Sequence, residues 1–85
     1  MSNAIYRLSQ VKIETGLPRS TIYLRIQQGL LTKPISLGGR SVGWPATEIS
    51  QINAARIAGK SNEEIKNLVD ELENQRVKER GIHHD

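Results

Sequence analysis

The fold is decided by residues 16–44, Gly16-Leu17-Pro18-Arg19-Ser20-Thr21-Ile22-Tyr23-Leu24-Arg25-Ile26-Gln27-Gln28-Gly29 running on through Leu30-Leu31-Thr32-Lys33-Pro34-Ile35-Ser36-Leu37 to Gly38-Gly39-Arg40-Ser41-Val42-Gly43-Trp44. Pro18 stands where a helix begins, since the first turn has no use for the amide that proline lacks. Gly29 is the residue best able to turn left-handed and end one. Together they predict a helix over Arg19–Gln28. Stepping about 100° per residue gathers Ile22 and Ile26 on one face and Ser20, Tyr23, Leu24 and Gln27 on the opposite arc. After Pro34, apolar and polar residues alternate on both sides of Gly38-Gly39-Arg40, the pattern of a two-stranded hairpin with a glycine tip. Two strands are marginal alone, so the hairpin must lie against helices, with Trp44 as its core anchor.

Upstream, Leu8-Ser9-Gln10-Val11-Lys12-Ile13 opens an earlier helix. Ser9 is the expected N-cap, and Leu8 and Ile13 sit where a hydrophobic staple would form. Gly16 ends this helix, and residues 15–18 make the turn into the next one. Downstream, Pro45 suits the first position of a third helix that buries Ile49, Ile52 and Ala55, with Glu48 and Arg56 outside or at its margin. Gly59-Lys60 breaks it. Ser61-Asn62-Glu63-Glu64 then reads as a capping box, in which Ser61 and Glu64 satisfy each other's backbone donors. The fourth helix carries Ile65, Leu68, Val69 and Leu72 at i, i+3, i+4 and i+7. That stripe runs on into Gln75, Arg76 and Glu79. It is therefore a short docking face, either for this domain or for a second copy, and too short for a self-sufficient coiled coil. Beyond about Lys78 the tail is expected to fray.

Eighty-five residues with 36% hydrophobic content make one small domain, whose limited core leaves room for stabilisation by self-association. The absence of cysteine excludes disulfides and thiolate metal sites and suits a reducing compartment. No apolar run approaches a membrane span, and no secretory signal pattern opens the chain, so a cytoplasmic protein is expected. His83-His84-Asp85 lacks the third ligand and the convergence that a metal or acid–base site needs. No nucleophile–base pair occurs in a pocket-forming context. The expectation is no enzyme, no cofactor and no metal.

Charge is unevenly spread. Residues 1–44 carry six basic side chains against Glu14 alone, whereas residues 45–85 carry six basic and eight acidic ones. A basic half of this kind seeks an anionic partner. A basic helix beside a basic hairpin implies a winged helix-turn-helix: mainly α, with a small two-stranded β-hairpin and an additional C-terminal helix. Its natural partner is double-stranded DNA. Arg19, Ser20 and Thr21 occupy the first turn of the second helix, the part of a recognition helix that meets base edges and whose free amides favour phosphate. Tyr23 and Gln27 continue that face, with Tyr23 either a DNA contact or an aromatic at the edge of the core. Leu24 either touches a thymine methyl or packs on the first helix or a partner subunit. Arg25, on the flank, either pairs with Glu14 or touches phosphate. In the wing, Arg40 is expected on phosphate, with Ser36, Gly38, Gly39 and Ser41 around it; Lys33 is either a phosphate contact or merely solvated. A basic face could instead meet an acidic protein, and a salt titration separates the two.

Thr15-Gly16-Leu17, Arg19-Ser20-Thr21-Ile22-Tyr23, Pro34 through Leu37-Gly38-Gly39-Arg40-Ser41-Val42-Gly43-Trp44, and Glu48-Ile49 together resemble the AlpA family of prophage regulators, relatives of phage excisionases and of the MerR-type DNA-binding domain. The wing motif at this spacing is its most specific part. The resemblance covers about residues 5–58 in one register, and Ala58-Gly59-Lys60-Ser61 leading into Glu63-Glu64-Ile65 is similar to the tail of longer members. It implies a MerR/excisionase-like winged helix that binds DNA and regulates prophage or mobile-element genes, or directs excision alongside an integrase. By position, Arg19, Ser20, Thr21, Tyr23 and Arg25 match the recognition helix, and Gly38, Gly39 and Arg40 match the wing. The chain departs at Pro18, where the family commonly places a capping serine. The implied organisation is a flexible arm (1–4), a DNA-binding domain (5–58) and a C-terminal helix with a frayed tail (59–85). Partners implied beyond DNA are a second copy through the C-terminal helix, and an integrase or the transcription machinery at the bacterial nucleoid. The long, acidic-leaning fourth helix favours a regulator over an excision factor, since excisionases are often shorter.

Overall fold

The computed structural model describes the backbone of residues 4–82 and the side chains of residues 4–76. Strand β1 (Ile5–Tyr6) leads into α1 (Leu8–Thr15) and α2 (Arg19–Gln27), then the wing strands β2 (Ile35–Gly38) and β3 (Ser41–Pro45), then α3 (Ala46–Ile57) and α4 (Asn62–Ile82). The fold is mainly helical with a small antiparallel sheet, a winged helix-turn-helix carrying an additional C-terminal helix. The sheet has one more strand than the hairpin alone provides. Its order is β1-β3-β2, with Ile5 opposite Pro45 and Tyr6 opposite Trp44. Two residues are too few to show an alternation, which is why β1 left no mark on the sequence pattern.

The helix ends are set by backbone geometry. Gly29 takes φ 79° at the end of α2; its N–H donates to the Ile26 carbonyl, and that of Leu30 to the Arg25 carbonyl. This pair of bonds reverses the chain and drives Leu30 and Leu31 inward, where both are buried. At the other end of the chain, Ser61 and Glu64 form the expected reciprocal cap: the Ser61 N–H donates to Glu64 Oε1 at 2.9 Å, and the Glu64 N–H to Ser61 Oγ at 3.2 Å. These bonds hold the Glu64 carboxyl below its ordinary pKa.

The start of α1 differs from expectation. The cap position is Arg7, whose carbonyl accepts from the N–H groups of Gln10 and Val11 at 3.0 Å, with no side chain capping the helix. Ser9 lies inside the first turn and is not the N-cap. The reason is β1, which ends at Tyr6 and leaves a single residue before the helix. Starting at Leu8 lets that side chain pack on the core. The Leu8–Ile13 staple is consequently not made, and Ile13 is 71% exposed.

The core joins every helix to the sheet: Val11 of α1, Ile22 of α2, Leu30 and Leu31, Trp44 of β3, Ile49 and Ile52 of α3, and Ile65, Val69 and Leu72 of α4. Leu68 packs at its edge. Trp44 is fully buried, and its indole N–H donates to the Thr32 carbonyl at 2.9 Å. The stripe of α4 is thus taken up by its own domain.

A second correction concerns Glu48. Expected outside the buried side of α3 or at its margin, it is 4% exposed. Arg76, one turn beyond Leu72 on the buried stripe of α4, reaches its carboxylate from Nε at 2.8 Å and from Nη2 at 2.5 Å. A buried carboxylate needs such a partner, and this one is 28 residues away.

Close approach explains Gly43. A Cβ there would lie 2.6 Å from Ile5 Cγ2, 3.0 Å from the Tyr6 carbonyl oxygen and 3.1 Å from Leu37 Cδ1. Gly43→Ala is therefore expected to cost about 1–3 kcal/mol by overpacking, read as a lower urea midpoint at unchanged m-value. A midpoint equal to that of the parent would contradict the packing of β1 on β3.

Candidate nucleic-acid interface

The outward arc of α2 is set by its helical period. With Ile22 fully buried and Ile26 packed on the core, Arg19, Ser20, Tyr23, Leu24 and Gln27 are exposed. Thr21 and Arg25 are half-buried on the flanks. Pro18 occupies the cap position without a side-chain hydrogen bond, so the amides of the first turn have no capping side chain.

Tyr23 is 38% exposed and holds a fixed place. Its ring meets that of Trp44 edge-on, with centroids 6.5 Å apart and planes at 63°. The Arg19 guanidinium lies over the Tyr23 ring, 5.7 Å from its centroid. One aromatic ring thus keys the outward face of α2 to β3 while orienting a cation at the start of the helix. The spacing in the sequence put Arg19 and Tyr23 on one arc, but nothing in it marked the contact with Trp44.

The wing tip is Gly39-Arg40, between Gly38 and Ser41, which pair across the hairpin. Gly38 and Gly39 have φ of 105° and 57°, and the register slips between Ser36 and Gly38. Ser36 Oγ accepts from the Gly38 N–H at 3.3 Å, tying the slipped strand to its own side chain. Ser36, Gly38, Gly39 and Arg40 are exposed, and Ser41 is half-buried. Lys33, before the wing, has an exposed side chain on a backbone bonded to α4: its N–H donates to Glu73 Oε2 at 2.9 Å and its carbonyl accepts from Arg76 Nη2 at 2.8 Å.

Among the described residues, no carboxylate comes within ion-pair distance of Arg19, Arg25, Lys33 or Arg40. Arg25 does not pair with Glu14, whose carboxylate accepts from Gln10 Nε2 at 2.9 Å. Arg25 instead lines a cleft together with Arg56 of α3. Burial, and after it the charge of Arg25, lowers the pKa of the Arg56 guanidinium. Two cations brought together from residues 31 apart were not foreseeable from either local pattern.

Among the described residues there is no cluster of groups able to hold a metal ion and no helix long and apolar enough to cross a membrane. His83, His84 and Asp85 lie outside the described residues, as do Met1, Ser2 and Asn3 of the expected arm. Ala4, the last residue of that arm, accepts a hydrogen bond from the Ala46 N–H at 2.9 Å.

The family model described as Prophage CP4-57 regulatory protein (AlpA) matches residues 4–57, from the residue before β1 to the end of α3. The chain belongs to this family. It is also 43% identical over 54 residues to the uncharacterized protein ORF88 of Enterobacteria phage P4, an alignment taking in 64% of this chain and 61% of that one. The chain therefore spans under two thirds of the length of that relative. No solved structure matches. Both proposed contact elements, α2 and the wing, lie within the AlpA match, whereas α4 lies beyond it.

Proposed function

We propose that this chain is a sequence-specific DNA-binding regulator of prophage or mobile-element genes, acting in the cytoplasm at the nucleoid. In this reading α2 enters the major groove. Arg19, Ser20, Tyr23 and Gln27 face base edges, Thr21 joins them from the flank of the first turn, and Leu24 meets a thymine methyl. The wing lies along the backbone, with Arg40 at its tip and Lys33, Ser36, Gly38, Gly39 and Ser41 beside it. Arg25 serves phosphate from the flank.

The observation that supports the reading best is the exposed arc of α2. It offers hydrogen-bonding side chains and the unneutralised Arg19 on a helix whose one outward aromatic is braced against the wing strand. Leu24, 49% exposed, adds an apolar side chain to the same face. Dimerisation through Ile65, Leu68, Val69 and Leu72 is not part of the reading, because Ile65, Val69 and Leu72 are spent on the domain's own core and Leu68 packs at its edge.

Selection of bound sites from random duplexes, followed by salt titration of the best site, tests it. Affinity should fall log-linearly with salt. Arg40→Ala should weaken binding to all sequences alike and reduce the salt slope by about 1. Arg19→Ala and Tyr23→Ala should each narrow the gap between cognate and scrambled duplexes by about 1–3 kcal/mol. Unchanged discrimination in both would reject α2 as the reading helix. Selected sites arranged as close tandem repeats across attachment DNA would instead assign the same surface to an excisionase-like architectural factor.

A further inference from the structure

Lys33 stands two residues before β2, and both of its backbone groups are held by one turn of α4. Glu73 takes the N–H, and Arg76 takes the carbonyl. Arg76 is itself fixed by the buried Glu48 of α3, which engages Nε and Nη2 of the guanidinium. Packing alone does not call for this arrangement. The backbone of an exposed connection could hydrogen-bond to water, and apolar side chains of similar size commonly replace a buried ion pair without loss of stability. What the pair supplies is direction. A guanidinium locked in plane on Glu48 leaves one N–H aimed at a single carbonyl at the root of the wing.

We propose that Glu48, Arg76 and Glu73 are positioning residues for the wing, setting the pose in which β2 and β3 present Arg40 to a DNA phosphate. The inference rests on the DNA-binding reading and deepens it. The helix that carries Glu73 and Arg76 lies beyond the stretch matched by the family model, so in this chain an element outside that stretch governs a contact made within it.

The test uses the full chain. Glu48→Met/Arg76→Met with Glu73→Ala removes the clamp while leaving no buried charge unpaired. Arg76→Lys is the milder companion, keeping a cation opposite Glu48 but lacking the planar fork. Two readouts are needed: amide hydrogen exchange at residues 36–41, and affinity for an arbitrary duplex at fixed salt. Exchange across the wing should accelerate, and affinity should drop about 3- to 10-fold. Adding Arg40→Ala to the clamp variant should then cost little more than Arg40→Ala alone, because both act through one phosphate contact. A merely structural role would leave the two losses multiplying independently, and that result overturns the proposal, as does unchanged exchange at the wing. Arg40→Ala alone tells the two readings apart. If it leaves affinity and salt slope untouched, the wing's phosphate contact is wrong and the proposal falls with it. If it weakens binding while the clamp variants do not, DNA binding stands and the clamp alone is refuted.

Discussion

Trp44→Ala is expected to lower stability by about 3–5 kcal/mol, the usual cost of deleting a large buried aromatic side chain. The indole is fully buried where helices and sheet meet, so the cavity would open at the centre of the domain. Its loss also strips the Thr32 carbonyl of its donor in a residue with no exposed surface. A domain of this length has only about 4–13 kcal/mol in hand, so the variant should lie close to unfolding at physiological temperature. Urea denaturation followed by far-ultraviolet circular dichroism measures the effect. Trp44→Phe separates its parts. It keeps an aromatic partner for Tyr23 and most of the buried area but gives up the hydrogen bond, and should cost distinctly less. A Trp44→Ala domain within about 1 kcal/mol of the parent would refute the placement of this residue at the core's centre.

Arg76→Ala should be nearly as damaging, by about 3–5 kcal/mol, for a different reason. Little apolar contact is lost; the cost arises because Glu48 stays behind, 4% exposed, as a carboxylate without its cation. The comparison with Glu48→Met/Arg76→Met is decisive. Removing both charges together should recover most of the loss in the same urea experiment. Should the double variant be as unstable as the single one, packing rather than stranded charge would be the cause.

The parts of the molecule legible in its sequence are those written in local chemistry. The limits of α2 follow from Pro18 and Gly29, the wing from glycines between alternating strands, and the cap of α4 from Ser61 and Glu64. The exposed arc of α2 followed from the helical period, which set Ile22 inward and so turned Arg19, Ser20, Tyr23 and Gln27 outward. What escaped depends on partners distant in the chain. Ser9 is a good capping residue, but strand pairing by Ile5 and Tyr6 fixed where α1 begins. Glu48 reads as a surface residue until Arg76 arrives beside it. Arg25 had a plausible mate in nearby Glu14, yet the fold sets it beside Arg56. A helical wheel yields faces, and it cannot say which residue of another element fills them.

The two-residue strand β1 occupies the flank of β3 opposite β2. Were the chain cut back to Arg7, β3 would present a free margin of peptide groups, open to extension by a strand from another molecule. Pairing of Ile5 with Pro45 and of Tyr6 with Trp44 closes that margin within the chain itself.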